Sequence, residues 1–579
     1  MKGEVLLSES YRAPRNIFLD TNYYHYIVQY EGNIQEEVSK QQGFYVTIVN
    51  EKYAIISTVN DIEINIEGPK FSTIVYVALP AFFTLQEITP TEASGVSFLQ
   101  LELPLRLTGT GVTVAIIDTG IDYLNDEFIR VNGETKIEYI WDQTIASDEE
   151  PTQNQQVPFG VLYSKADIQQ AIDAFKAGNS PYDIVKTVDE IGHGTNMAGI
   201  IGAIGKNQNL KGIVPDCDFV VVKLIETISF KKLYNIDIPT YDVVSIFSAL
   251  EFLYRYSLNN NKPLIIYFPL GSNLGNHRGS GILEQYMDSI SRNSGIAIVT
   301  GSGNQGASET HTSGIITQVN EERTLQLYIS PEQKFIVIEI WVDTPNILSL
   351  TIISPSGEST ETIIAEINAL KTYSFVFENT SVKINYYIPE ENTGDELIRI
   401  RFLNLKEGIW RFKLTGRVIL DGKFNAWIPQ LGLSIGGSKF ISSDPYGTIM
   451  NPSTSSYVIT AAAYNQNNNT ILSYSGMTLL DDFIDKIDVA AGGVNALTTA
   501  PNNKTAIVNG TSVSAAVLAG ACAMLFQWGI VEGNYPNIYS QTLKTYISRG
   551  VVQRSGDSYP NPQWGYGMLN ILKVFQNML

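Results

Sequence analysis

Val112-Thr113-Val114-Ala115-Ile116-Ile117-Asp118 is an apolar run, rich in β-branched side chains, that ends on a carboxylate. Such a run suits a strand buried on both faces of a parallel sheet. CDFVVVKLI at 217–225, PLIIYF at 263–268 and GIAIVTGSG at 295–303 repeat the pattern, with amphipathic stretches between them that suit crossover helices. The core is therefore expected to be α/β. Asp118 then lies at the carboxyl end of a central strand, the edge where open α/β sheets place their sites.

Working outward, the texture changes twice. The first eighty or so residues hold short strand-like runs, YIVQY (26–30), FYVTIV (44–49), YAIISTV (53–59), IEINIEG (62–68) and TIVYVALP (73–80), with a helix-permissive stretch from Gln35 to Gln41. That is a small α+β unit. From about 315 to 430 the chain alternates, as in FIVIEIWVD (335–343), SLTIISPSG (349–357), LIRIRFLNL (397–405) and GIWRFKLTGRVIL (408–420), which reads as an all-β jelly roll inserted into the core. Core-like runs resume at YVITAAAY (457–464) and IDVAAGG (487–493), followed by a long helix from Ser512. The segments are placed at 1–86, 87–310, 311–435 and 436–579.

A chain of 579 residues needs more than one packed core, and 44% hydrophobic content excludes disorder. A net charge of −20 argues against nucleic acid or anionic lipid as a partner. Two cysteines, Cys217 and Cys522, support neither a disulfide framework nor a multi-cysteine zinc site and read as small buried hydrophobes. The opening MKGEVLLSESYRAP lacks the apolar core of a secretory signal, and Ala515–Val531 reads as a buried helix rather than a membrane span.

Four histidines, His25, His193, His277 and His311, limit the choice of a neutral-pH base. His193 lies in Gly192-His193-Gly194-Thr195-Asn196 ahead of a small-residue helix, and Asn509-Gly510-Thr511-Ser512-Val513-Ser514 places a serine at another helix start. Singly, these are a loop histidine, a strand-end aspartate and a serine N-cap. Together they supply a hydroxyl, a base to deprotonate it and an acid to orient the base, in the chain order Asp, His, Ser known from subtilisin.

At this point the sequence resembles the subtilisin-like serine peptidases, through Asp118-Thr119-Gly120, His193-Gly194-Thr195 and Gly510-Thr511-Ser512. The resemblance implies Asn304, in Gly301-Ser302-Gly303-Asn304-Gln305-Gly306, as oxyanion donor, and Leu270, Gly271 and Ser272 as the strand that pairs with substrate. Pro269 stands where the family has a serine and removes one amide; Val513 and Ala516 replace the usual Met and Pro. His277 and His311 have no matching role and read as surface or loop residues. Trp341, Trp410 and Trp427 read as core anchors of the insert. The family's calcium loop corresponds to Gly205-Lys206-Asn207-Gln208-Asn209, which lacks carboxylates, so no metal and no cofactor are expected.

The leader, the core and the insert between Asn304 and Ser512 together resemble the clostridial Csp germination proteases. That implies a soluble spore protein of the cortex or coat region, made without a signal peptide, which activates a cortex-lytic zymogen. It also implies that residues 1–86 are a prodomain, cut after Gln86 ahead of Glu87 and retained non-covalently. The alternatives are a catalytically silent signalling pseudoprotease and a cell-wall binder acting through the jelly roll.

Overall fold

The computed structural model describes residues 14, 16–59, 71–78, 82–85, 94, 96–101, 105–146 and 157–578. At its centre is a sheet in the order Thr470–Ile471, Ile459–Asn465, Ile296–Gly301, Leu264–Tyr267, Thr113–Asp118, Asp218–Lys223, Ile137–Asp142, Val161–Ser164, with Val489–Gly492 also paired to Ile459–Asn465. All pairings are parallel except the two outermost, and the registers Tyr267↔Ile116 and Asp118↔Lys223 make Thr113–Asp118 a central strand. Successive side chains of a strand face opposite ways. Val114 and Ile116 accordingly join the core that holds helices His193–Gly202 and Thr511–Phe526. Ala115 and Ile117 join the one that holds helices Val243–Asn260 and Ile282–Ser291.

The helix Thr511–Phe526 is buried along its whole length. With its extension to Val531 it is, among the described residues, the one segment long and apolar enough to cross a membrane, and most of it is buried inside the protein. Its apolarity is that of a core helix surrounded by sheet on one side and the histidine helix on the other.

The leader forms an antiparallel sheet in the order Phe44–Ile48, Tyr53–Val59, Tyr23–Tyr30, Ile74–Val77, crossed by a helix at Ile34–Ser39. One face packs Val28, Phe44 and Ile56 against Ile34 and Val38 of that helix. The other sends Ile27, Tyr53 and Ile55 into the core, where the Tyr53 ring lies 5.2 Å from Phe247 and 5.5 Å from Tyr286. The leader is thus seated on two core helices. The run expected as a strand at 62–68 lies outside the described residues.

The insert is a sandwich of two antiparallel sheets. One runs His311–Ile315, Lys423–Trp427, Phe335–Val342, Glu396–Leu403, Thr380–Tyr387, Leu370–Phe375; the other runs Ile347–Ile353, Gly408–Val418, Glu322–Ile329, Lys439–Phe440. Ile338, Ile400, Leu350, Trp410 and Phe412 fill the space between them. Trp341, Trp410 and Trp427 are all buried.

The reading of His277 and His311 as surface or loop residues is corrected in part by the structure: His277 lies in a loop and His311 opens a strand, but neither is at the surface. Both are buried and stacked on Trp427, with ring centroids 4.1 and 4.6 Å away. His277 Nε2 donates to Asn273 O at 2.8 Å, and burial lowers its pKa to about 3, so the ring stays neutral and packs as an aromatic. Arg278 beside it reaches Asp343 (2.6 Å) and Asp395 (3.3 Å) of the insert. These contacts fix the sandwich to the core.

Inside the insert Glu396 is almost wholly buried and accepts a hydrogen bond from Leu348 N at 2.7 Å. Burial pushes its carboxyl up to about 8 from 4.5. A raised folded-state value gives stability that is fully present below the unfolded pKa and is lost as pH rises through the folded one. Glu396→Gln is therefore expected to lose less of its melting temperature than wild type between about pH 5 and about pH 9, by a few degrees. Parallel melting curves for the two proteins would contradict this.

Candidate active site

Asp118 closes its strand with a fully buried carboxylate, bonded to His193 Nδ1 at 2.7 and 2.8 Å and to Thr119 N at 2.7 Å. His193 opens its helix. Gly192, at φ +86, makes the turn into it, and a side chain on Gly194 would collide with Gly120 O and lie 3.2 Å from Asp118 Cβ. Only a glycine lets this helix approach closely enough for the pair to form.

Asp189 was not identified from the sequence, yet it caps this helix. Its carboxylate accepts from Gly192 N (2.8 Å), Thr195 N (2.9 Å) and Thr195 Oγ1 (2.7 Å). The missed signal is an acidic residue just ahead of Gly-His-Gly-Thr, where first-turn amides need acceptors. Thr195 Oγ1 also accepts from Asp122 N at 2.9 Å, tying the helix to the loop after Asp118.

Ser512 lies in the first turn of its helix, fully buried. Tyr267, at the carboxyl end of the neighbouring strand, donates its hydroxyl to Ser512 O at 2.8 Å. Burial, and then the Asp118 charge, raise the phenol's pKa far above 10, so it remains a donor. Asn304 Oδ1 accepts from Thr511 N (3.2 Å) and Thr511 Oγ1 (3.0 Å), which turns the NH2 end of that amide away from Thr511. The structure thus gathers Asp118, His193, Asn304 and Ser512 at one rim of the parallel sheet.

Beside this rim the leader segment Phe82–Leu85 is the middle strand of a small antiparallel sheet. Leu85 pairs with Leu270 and Thr84 with Gly271 on one side; Thr84, Phe83 and Phe82 pair with Thr240, Tyr241 and Asp242 on the other. Ser272 does not pair with this segment. Its N–H donates to Asn451 O, and its carbonyl accepts from Asn451 N, both at 2.9 Å. Thr240–Asp242 is a wall that sequence reasoning missed; three residues are too short for a periodic signal. Asp242 also accepts from Val244 N at 2.8 Å as the N-cap of the next helix, and burial pushes its carboxyl up to about 7. Gln86 and Glu87 lie outside the described residues.

The loop after the histidine helix has the wrong polarity for a cation. The amides of Gly205, Lys206 and Asn207 converge on the buried Glu127 carboxylate at 2.7, 3.2 and 2.6 Å. Among the described residues no three His, Cys, Asp or Glu side chains cluster as metal ligands. Cys217 and Cys522 are buried thiols.

Gly194→Ala is expected to push the histidine helix off the strand end, with overpacking worth about 1–3 kcal/mol and loss of activity beyond what the stability change explains. Differential scanning calorimetry, together with active-site titration of the folded fraction, checks it. A variant of unchanged stability and activity would show that the close approach is not required.

Residues 109–334 and 435–567 match the Subtilase family. No curated protein matches the chain. Among solved structures, the Clostridium perfringens CspB protease aligns at 29% identity with a TM-score of 0.73, covering 83% of this chain and 97% of that one. Sphericase aligns at 15% identity with a TM-score of 0.42, covering 82% of this chain and 97% of its own. The family match extends over more than half of the chain, on either side of most of the sandwich, and the chain belongs to the subtilase family as a subtilisin-like serine peptidase similar to the CspB protease.

Proposed function

We propose that this peptidase is an endopeptidase in which Ser512 attacks a peptide carbonyl, His193 takes the hydroxyl proton and returns it to the leaving amine, and Asp118 fixes the imidazole's orientation and stabilises its cation. Asn304 and the Ser512 backbone amide hold the oxyanion. The observation that carries the reading is the buried Asp118–His193 pair at 2.7 Å, on the sheet rim that also holds Ser512 and Asn304.

Residues 1–86 act as a prodomain that the enzyme cuts from itself after Gln86. Support comes from the strand Phe82–Leu85, which runs through the cleft in the manner of an added substrate strand and immediately precedes Gln86 in the sequence. The 311–435 insert acts as a jelly-roll clamp on the core. With Trp341, Trp410 and Trp427 buried, a cell-wall-binding role has no aromatic platform among them. The resemblance of the sequence to the clostridial Csp germination proteases supports a cortex-lytic zymogen as the physiological substrate and a germinating spore as the setting.

A second reading, a silent pseudoprotease that signals without cutting, is favoured by one observation: the leader strand occupies the cleft on both sides. Ser512→Ala separates the two. Wild type is expected to yield two N-termini, one beginning at Glu87, and the variant only the full-length chain. Identical patterns in both proteins would remove self-processing by this serine. Asn304→Ala should slow the cut about 100- to 1000-fold, the cost of deleting the matching donor in subtilisin.

A further inference from the structure

Residues 428–434 lie between the sandwich strands Lys423–Trp427 and Lys439–Phe440, and this stretch reaches toward both walls of the cleft. Gln430 is fully buried. Its Nε2 donates to Gly271 O at 3.2 Å, and its Oε1 accepts from Asn273 N at 3.3 Å. In an extended strand the polar groups of alternate residues point to the same edge. Ser272 therefore bonds Asn451 on one edge, while Gly271 and Asn273 face the other, where Gly271 pairs with Thr84. The Gln430 amide takes the bonding positions directly beyond Thr84, those that an extended peptide continuing along this strand would use.

Two residues on, Gly432 lies so close to Ile238 that a Cβ would collide with it, and Leu433 shares an apolar cluster with Ile236. Ile236 and Ile238 lead into the opposite wall, Thr240–Asp242. One loop of the insert thus contacts the Gly271 wall and the segment that leads into the Thr240–Asp242 wall.

We propose that Gln430 is a specificity-determining residue supplied by the insert, which ends the peptide-pairing edge at Gly271. A bound chain is gripped on both sides only just before the scissile bond; upstream of the Thr84 position it is held from the Tyr241–Asp242 side alone, as Phe83 and Phe82 are. The substrate this fits is a protein cut in an extended segment whose upstream residues pair on one side only. The inference rests on the protease reading above.

The test uses self-processed wild type and Gln430→Ala with fluorogenic peptides ending in Phe-Thr-Leu-Gln before the reporter, lengthened upstream one residue at a time. In wild type kcat/KM should gain on lengthening only what pairing along Tyr241–Asp242 supplies. In the variant the freed Gly271 and Asn273 groups should add about a further 2- to 10-fold, through KM rather than kcat. Equal gains in both proteins, or no gain in the variant, would overturn the inference. A fluorophosphonate probe keeps the two readings apart: with no labelling of Ser512 and no self-cut in either protein, the peptidase reading fails. The edge is then read by hydrogen exchange in Ser512→Ala, where Asn273 N–H must lose protection on adding Gln430→Ala. Unchanged exchange overturns the inference on its own.

Discussion

The site depends on how closely one helix can approach the end of one strand. Asp118 is buried where an unpaired carboxylate would be severely penalised, so its oxygens must be satisfied by the His193 imidazole and the Thr119 amide. That requires the first turn of the histidine helix to touch the strand end, which the missing side chain of Gly194 permits and the Asp189 cap enforces. Burial works in favour of the chemistry as well. In a water-poor setting the pair holds its geometry, and a proton moved onto His193 would be stabilised by an adjacent fixed charge.

The sheet, the leader and the insert each set one dimension of the cleft. The parallel sheet supplies the rim and its reactive groups. The leader fills the cleft with a strand whose backbone is bonded on both sides, so its hold at that point rests on amide pairing, independent of the side chains it carries. The insert reaches the sides of the cleft through Gln430 and Leu433. Its own core is complete without the rest of the chain, which is how a sandwich can be set into a subtilase core and still shape the site.

The seam between insert and core is built from groups that look like surface residues in a sequence. His277 and His311 bury their rings against Trp427, and Arg278 crosses to Asp343 and Asp395. Each has a polar end that finds a partner and a flat or long apolar part that packs, so polarity alone misjudges where it lies. Glu127 is the same lesson with a carboxylate, buried because three loop amides need an acceptor.

By itself the sequence determined the parallel core, the leader's strands, the alternation of the insert and the motifs around Asp118, His193, Asn304 and Ser512. Continuous apolar runs, period-two alternation and glycine-flanked polar residues are local properties that a chain carries wherever it folds. Only the tertiary structure decided which residues cap, wall and close the site. Asp189, Thr240–Asp242 and Gln430 act through contacts with segments far away in the chain, and Ser272 turns from the leader strand because Asn451 takes its backbone bonds. Such roles depend on which groups are left unpaired when distant segments meet, and no local pattern records that.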